Sequence, residues 1–408
     1  MKKLFSDVVF RSSSGLIHNV TSPGRGHSKL RIADAYGGIP LILCLGLLRK
    51  RRRQVPTSVR RIGLLNTAAI GDTLLMSGPL ADLRSRYRSS QIYLLVGPSN
   101  YEAACLLNPA VTVVKLPIFD LFTSIWEIRK RELDVLLDFG PWARLNAILT
   151  ALSGAKFTAG FRTAGQYRHY AYDLSVEHSP DLHELDNHRN LVSVLNISSQ
   201  HQPCVDSEQV SCRPKSICAK PYLVFHLWAG GTAARHKEWP TNRWIKLAER
   251  FSEKGYAIVF TGSSSQRLAN EHVINAAKPS LRTCMYNQAG LTLAETSALI
   301  AGSALVVSVD TGVMHLAAAL SAPLVALMGA ASRRRWGPVS ELAHVVESPL
   351  DGCGYLNLGF EVPGSPPKCM EAISFDAVCG ACEQALLDHE IRSCGESVHI
   401  NNDAYRSS

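Results

Sequence analysis

From Arg61 almost to the end of the chain, short β-branched or aliphatic runs alternate with longer stretches whose apolar residues recur at helical spacing. In the first half the runs Ile62–Leu65, Ile92–Val96, Val111–Leu116, Val135–Leu137 and a piece near Phe157–Phe161 read as strands. Thr73–Arg86 and Trp142–Leu152 read as helices, the first broken or restarted by Pro79. The polar stretch Ser198–Lys220 lacks this pattern, and a second series follows it. Its strands are Leu223–His226, Ala257–Thr261, Leu305–Val309 and Leu324–Met328, with helices near Arg243–Phe251, Leu293–Ala301 and Gly312–Leu320. Strict alternation of strand and helix means βαβ units and parallel sheets. The expected fold class is therefore α/β, with two Rossmann-like parallel-sheet domains facing a central cleft. The expected boundaries are a leader over 1–60, domains over 61–200 and 221–390 joined by a linker over 201–220, and a tail over 391–408.

Charge changes this picture only at the front. The chain has 43 Lys+Arg and 34 Asp+Glu, a net +9 that suggests a nucleic-acid partner. Residues 1–61 hold 13 of the basic residues and only Asp7 and Asp34 as acids, so the body is slightly acidic and no nucleic-acid partner is expected. Within the leader, the apolar run 39–48 is too short for a bilayer span, which needs about 20 residues. It precedes Arg49-Lys50-Arg51-Arg52-Arg53, the reverse of a signal peptide. Two readings fit residues 39–53: attachment to an anionic membrane surface, or a helix turn packed beside a solvated leader. Eleven cysteines are scattered without a dense framework, which predicts reduced thiols and no disulfide scaffold.

Ligands in such folds sit beyond the carboxyl ends of the strands. The first strand runs into Asn66-Thr67-Ala68-Ala69-Ile70-Gly71-Asp72, which brings Asp72 to a helix start. There it serves as a base toward a substrate hydroxyl, or only complements the helix dipole. The loop matches neither phosphate-binding glycine fingerprint. After Leu305–Val309 come Asp310-Thr311-Gly312-Val313-Met314-His315. Gly312 and the free N–H groups of the helix start suit a phosphate, and His315 lies one turn from Thr311. The alternative is Asp310 as an N-cap and His315 as a packed residue. Small residues ending in a cationic cluster follow the second half's first strand, where Thr232 and Lys237 suit a diphosphate. No Asp-x-Asp pair occurs, so neither a metal nor another cofactor is expected. Cys353, Cys369, Cys379 and Cys382 contain one C-x-x-C but no second pair, which argues for free thiols over zinc. Arg162, Arg168, Arg333 and Arg334 are candidate contacts to acceptor phosphates.

These elements resemble glycosyltransferase family 9, the bacterial heptosyltransferases of lipopolysaccharide inner-core assembly. The resemblance rests on I-G-D-x-L-L at Ile70–Leu75, K-x-W-P at Lys237–Pro240, D-T-G-x-x-H at Asp310–His315 and Arg335-Trp336-Gly337-Pro338, with Lys368-Cys369-Met370 and Ile373-Ser374 beyond. It implies a GT-B fold and inverting, metal-independent transfer from a nucleotide sugar, typically ADP-heptose, to a lipid-linked lipopolysaccharide core acceptor. The scattered cysteines point to a cytosolic compartment, and the basic leader suits the cytoplasmic face of the membrane that carries the acceptor. By resemblance Asp72 is the base; Thr232, Lys237, Asp310, Thr311, Gly312 and His315 bind the donor. Where the family often has a ribose-binding Glu, this chain has Gln266. A catalytically silent glycan- or nucleotide-binding protein of the same fold is the alternative.

Overall fold

The computed structural model describes residues 34, 36–48, 54–107, 110–206, 220–231, 233–359 and 361–406, the last fourteen of these by backbone alone. The basic run 49–53, most of the leader, much of the linker and Thr232 lie outside the described residues.

The first half contains α1 (Gly38–Leu48), β1 (Arg61–Asn66), α2 (Ile70–Leu75), α3 (Ser77–Arg86), β2 (Gln91–Val96), α4 (Tyr101–Cys105) and β3 (Thr112–Lys115). It continues through α5 (Leu121–Arg129), β4 (Val135–Asp138), α6 (Arg144–Leu152), β5 (Phe157–Arg162), β6 (Leu174–Glu177) and α7 (Glu184–Val192). The second half contains β7 (Tyr222–His226), α8 (Thr241–Glu253), β8 (Ala257–Phe260), α9 (Arg267–Ala276), β9 (Met285–Asn287), α10 (Leu293–Ala301), β10 (Leu305–Val309) and α11 (Gly312–Ala319). Then come β11 (Leu324–Met328), α12 (Arg333–Trp336), β12 (Ala343–Glu347), α13 (Cys369–Ala372) and α14 (Phe375–Arg406).

Each half carries one six-stranded sheet, ordered β3-β2-β1-β4-β5-β6 and β12-β11-β10-β7-β8-β9, with every neighbouring pair parallel. Strand order reverses between β1 and β4 and between β7 and β10, and such switch points open the crevices where ligands bind. Alternate residues of the first sheet point to opposite faces. Leu64, Leu94 and Leu137 meet Leu74, Leu83 and Leu191, a cluster that runs on into Val224, Leu299, Met314 and Leu316 of the second half. Leu65, Leu95 and Leu136 instead meet Ile128 of α5 and Leu149 of α6 on the outer face. One face of the sheet thus looks toward the second half and the other away from it.

The expected helix over Thr73–Arg86 is two helices joined at Met76, and Pro79 falls in the first turn of α3, where its missing N–H costs nothing. In α8, Trp244, Leu247 and Phe251 share one buried face, each worth roughly 1.5–3 kcal/mol. The apolar run 39–48 forms three turns of helix docked on the first half, with Ile42 buried among Ala147, Ile148, Ala171 and Tyr172. Asp34 anchors its start on Arg144 at 2.8 Å. No helix among the described residues is long and apolar enough to cross a membrane.

One expectation is corrected. Cys353 and Cys369 form a disulfide, sixteen residues apart in sequence with Cα atoms 5.8 Å apart. The loop after β12 folds back over the end of β11, close enough that a Cβ on Gly329 would lie 3.1 Å from the Cys369 Cβ. Cys379 and Cys382 are free and buried in the second core.

Candidate active site

Asp72 stands in the first turn of α2, directly beyond β1, and is 3 % exposed. The turn that delivers it is unusual: Ala69, the N-cap, has φ 69°, a left-handed conformation that costs a non-glycine residue of order 1–3 kcal/mol. Buried hydrogen bonds hold it. Thr73 Oγ1 donates to Ala69 O at 2.9 Å, while Asn100 Nδ2 donates to Asn66 O and to Thr73 Oγ1, each at 2.8 Å. Asn100 is one strand away and carries no local motif, so the sequence reading missed it.

On the second half, Lys237 follows β7. Its loop is anchored by the next aromatic, since Trp239 is buried, donates from Nε1 to Ile373 O at 2.9 Å and packs edge-on against Trp244. Pro240 then caps α8, which explains the K-x-W-P order physically. Lys237 Nζ lies 3.1 Å from Asp310 O and 3.2 Å from Asp310 Oδ2. The cation therefore sits at the start of α11. The N-cap of α11 is Thr311, not Asp310, and its side chain makes no capping bond, so Thr311 leaves the first-turn N–H groups without a cap. Helix start and ammonium together make an anion site.

His315 projects from the second turn of α11 and is buried. Burial pushes its pKa down to about 4, against the pull of Asp310 and with a further push from His183 and Lys237. It is neutral at pH 7, and its Nδ1 has no hydrogen-bond partner among the described residues. The two halves touch here. A Cβ on Gly71 would lie 2.7 Å from His315 Cδ2, and one on Gly312 would lie 2.7 Å from Ile70 Cγ2. Only glycine permits α2 and α11 to meet this closely.

The fold thus brings Asp72, Lys237, Asp310, Thr311, Gly312 and His315 to one place. Gln266 lies on the same carboxyl edge, beyond β8, where its Oε1 accepts from Ser263 N at 2.8 Å. That bond leaves the amide N–H groups, which donate where a carboxylate would accept. Thr232 lies outside the described residues. Of the arginines, Arg168 is corrected: it is buried and bonded to Asp138 Oδ2 at 2.6 Å and to Gly140 O, so it meets no acceptor. Arg162, Arg333 and Arg334 are exposed and face Glu177, Glu347 and Asp181.

A second feature escaped the sequence reading. Arg335 of α12 reaches across to the first half, where it pairs with buried Glu184 and donates to Leu182 O at 3.2 Å. His178 Nε2 lies 3.0 Å from Glu184 Oε2, and His183 Nε2 lies 2.9 Å from Gly337 O. Burial by itself raises the Glu184 pKa, but His178, Arg335 and His188 hold it well below the usual carboxylate range. Beside this node Leu75 and Leu185 pack with Met328 and Trp336, tying α2 to the second half. The Glu-x-x-x-His spacing at Glu184 and His188 was its one visible signal. Among the described residues, no group of three or more His, Cys, Asp or Glu could hold a metal ion.

Paired parallel sheets, with an acid at one switch point and a cation beside an uncapped helix start at the other, define the GT-B class of two-domain transferases. The chain belongs to glycosyltransferase family 9 (heptosyltransferase), whose profile matches residues 125–354. A lipooligosaccharide heptosyltransferase 2 of Haemophilus influenzae is 39 % identical over 111 residues, 27 % of this chain and 32 % of that protein. The Escherichia coli lipopolysaccharide heptosyltransferase 2 is 36 % identical over 111 residues, with the same coverage. The matched stretch thus spans about a third of the length of these curated relatives. Among solved structures, E. coli ADP-heptose lps heptosyltransferase II superposes with a TM-score of 0.68 at 20 % identity, over 81 % of this chain and 99 % of that one. E. coli heptosyltransferase WaaC with ADP gives 0.64 at 20 % identity, over 80 % and 99 %.

Proposed function

We propose that this protein transfers a heptose from ADP-heptose to a lipid-linked lipopolysaccharide core acceptor, inverting the anomeric centre and needing no metal ion. The observation that supports the reading is the meeting of α2, which carries Asp72, with α11, whose start lies beside Lys237. An acceptor hydroxyl oxygen attacks the anomeric carbon from the face opposite the diphosphate. The carbon–oxygen bond to the diphosphate breaks, Asp72 takes the hydroxyl proton, and ADP leaves with the bonding electrons.

Charge gathers on the departing phosphate oxygens, and fixed groups stabilise it best because they need no rearrangement during the reaction. Lys237, held by Asp310, and the N–H groups after Thr311 have that character, and Thr232 is assigned to the same diphosphate. Neutral His315 offers one N–H and one lone pair to the donor. Gln266 is assigned to the ribose as a hydrogen-bond donor. Residues 39–53 keep the enzyme on the cytoplasmic face of the membrane that carries its acceptor.

A hydrolysis-corrected transfer assay with ADP-, GDP-, UDP- and CMP-linked sugars, run in excess chelator, tests this. Transfer from ADP-heptose alone, undiminished by chelator, is expected. Donor binding without transfer to any core acceptor would instead favour a silent binding protein.

A further inference from the structure

Next to the loop that carries Asp72 lies a buried polar network that the proposed chemistry does not use. β4 pairs with β1 in a register that sets Asp138 beside Leu65, so Asp138, the last residue of β4, stands at the switch point of the first sheet. It is fully buried, and donors converge on its carboxyl group. Arg168 Nη2 and Tyr172 Oη each donate to Oδ2 at 2.6 Å, while Gly140 N and Asn146 Nδ2 donate to Oδ1 at 2.9 and 3.3 Å. Burial raises the pKa of Asp138, and the Arg168 guanidinium with the Tyr172, Gly140 and Asn146 donors draws it down. Every one of these neighbours is a donor, an arrangement that the carboxylate satisfies in full.

An ion pair in such a place adds little net stability, since taking two charges out of water offsets most of their attraction. What a fixed carboxylate does is orient its neighbours. An amide presents its N–H groups to a carboxylate and turns its oxygen the other way. Asn146 Oδ1 accordingly faces Thr67 and accepts from Thr67 Oγ1 at 2.6 Å, a bond between two buried side chains. The fit around both partners is close. A Cβ on Gly140 would run into Asn146 Nδ2, and one on Gly97 would run into Thr67 O. Thr67 is the first residue beyond β1, so the network ends on the loop itself.

We propose that Thr67 and Asn146, oriented by Asp138, are positioning residues for Asp72. The loop is held from two sides. Asn100, beyond β2, donates to Asn66 O and Thr73 Oγ1, while Asn146, beyond β4, accepts from Thr67. Between these anchors Ala69 is left-handed at φ 69°, a conformation that a non-glycine residue keeps only where its surroundings enforce it. With the anchor on the β4 side cut, Ala69 relaxes, and Asp72, three residues further on, leaves the place the loop gives it. A displacement of about 1 Å at a reacting group costs on the order of 100-fold in rate.

Burial shows how these residues act. Thr67 and Asn146 are 5 and 1 % exposed, so they work through the loop and not by touching a substrate. The network also gives buried Arg168 a task. It balances the charge of Asp138 and, through its bond to Gly140 O, closes the loop after β4 around the carboxylate. The effect on turnover rests on the proposed role of Asp72 as the base, although the state of the loop is measured without any reaction.

The test compares Thr67→Val, which fills the same space without the hydroxyl, with Thr67→Ser, which keeps it, both in the full chain. In hydrogen–deuterium exchange, the peptide spanning residues 66–75 exchanges about tenfold faster or more in Thr67→Val, and near the wild-type rate in Thr67→Ser. In single-turnover transfer from ADP-heptose, Thr67→Val is slower by about 10- to 100-fold at unchanged donor affinity, and Thr67→Ser restores the rate. In an Asp72→Asn background Thr67→Val slows transfer no further, whereas general damage to the fold would slow it again. Unchanged exchange of the loop in Thr67→Val overturns the proposal, as does an equal loss of rate with and without Asp72. If Thr67→Val does not fold, Asn146→Ala cuts the same bond from the other side and is read in the same way. Faster exchange in Thr67→Val, reversed in Thr67→Ser, supports the anchoring even if the wild type transfers no sugar, a result that refutes the proposed reaction alone.

Discussion

Replacing Gly71 by alanine probes the contact on which the site depends. Gly71 lies inside α2 and is not among the glycines with positive φ, so its backbone suits any residue. Helix propensity alone then makes the substitution stabilising by about 0.5–1 kcal/mol. The added methyl, however, falls 2.7 Å from His315 Cδ2 and 3.3 Å from His315 Nε2. Carbon atoms pack at about 3.5–4.0 Å, so the contact is short by roughly 1 Å. The buried imidazole is fixed on α11, and overfilling such a place costs about 1–3 kcal/mol. The net expectation is a loss of up to about 2.5 kcal/mol, read as a lower urea midpoint at pH 7.5. Gly380→Ala is the control: it lies in α14 with nothing within 4 Å of the new Cβ, so it should stabilise. In a His315→Ala background the clash is gone, and Gly71→Ala should stabilise too, a coupling of about 1–3 kcal/mol. If Gly71→Ala raises the midpoint as much as Gly380→Ala does, the two halves do not meet through these helices and the geometry of the site is wrong.

Other consequences are equally direct. Glu184→Gln leaves the buried Arg335 guanidinium without its carboxylate, so unfolding free energy should drop by about 3–5 kcal/mol; the Glu184→Leu/Arg335→Met double variant should recover part of this, and a single variant that unfolds like the wild type would remove the node from the account. His188, His226 and His315 are buried with pKa values near 4, lowered chiefly by burial. The unfolded chain then takes up protons below pH 6.5 that the folded chain refuses. This contribution is whole above pH 6.5 and is lost as pH falls toward 4. Between pH 7.5 and 5.5 the three should cost about 4 kcal/mol, measurable by urea titration at each pH, and a flat profile would contradict their burial. Lys237→Ala should weaken ADP-heptose binding in calorimetry by about 10- to 100-fold, the worth of a charge-assisted contact, whereas an unchanged affinity would take Lys237 out of the donor site.

Sequence pattern located the central strands well because they are buried on both faces. Leu305–Val309 and Leu324–Met328 are continuous aliphatic runs and match β10 and β11 residue for residue. Three of the four edge strands were missed for the complementary reason, whereas the edge strand β3 was read from Val111–Leu116. Leu174–Glu177 and Ala343–Glu347 are short and only partly buried, and Met285–Asn287 is three residues long, so none carries a full apolar signal. The candidate site residues stand out in the sequence because they follow strands in small-residue loops. Asn100 and Arg335 do not, since each acts through a partner that is distant in the chain. The Cys353–Cys369 bond escaped in the same way, because scattered cysteines give no pairing until the loop after β12 folds back. The outward rings of α5 were missed because apolar periodicity alone reads as core, and only solved packing separates Ile128 from Trp126.

The central claim is that Asp72 removes the acceptor proton while the second half alone holds the donor. Its most direct test is single-turnover transfer by Asp72→Asn, with ADP-heptose affinity measured on the same preparation. A positioned general base contributes about 100- to 10,000-fold, so transfer should fall by that factor while donor affinity stays within about twofold of wild type. Transfer within tenfold of wild type, or a loss of donor affinity large enough to account for the slower rate, would contradict the account.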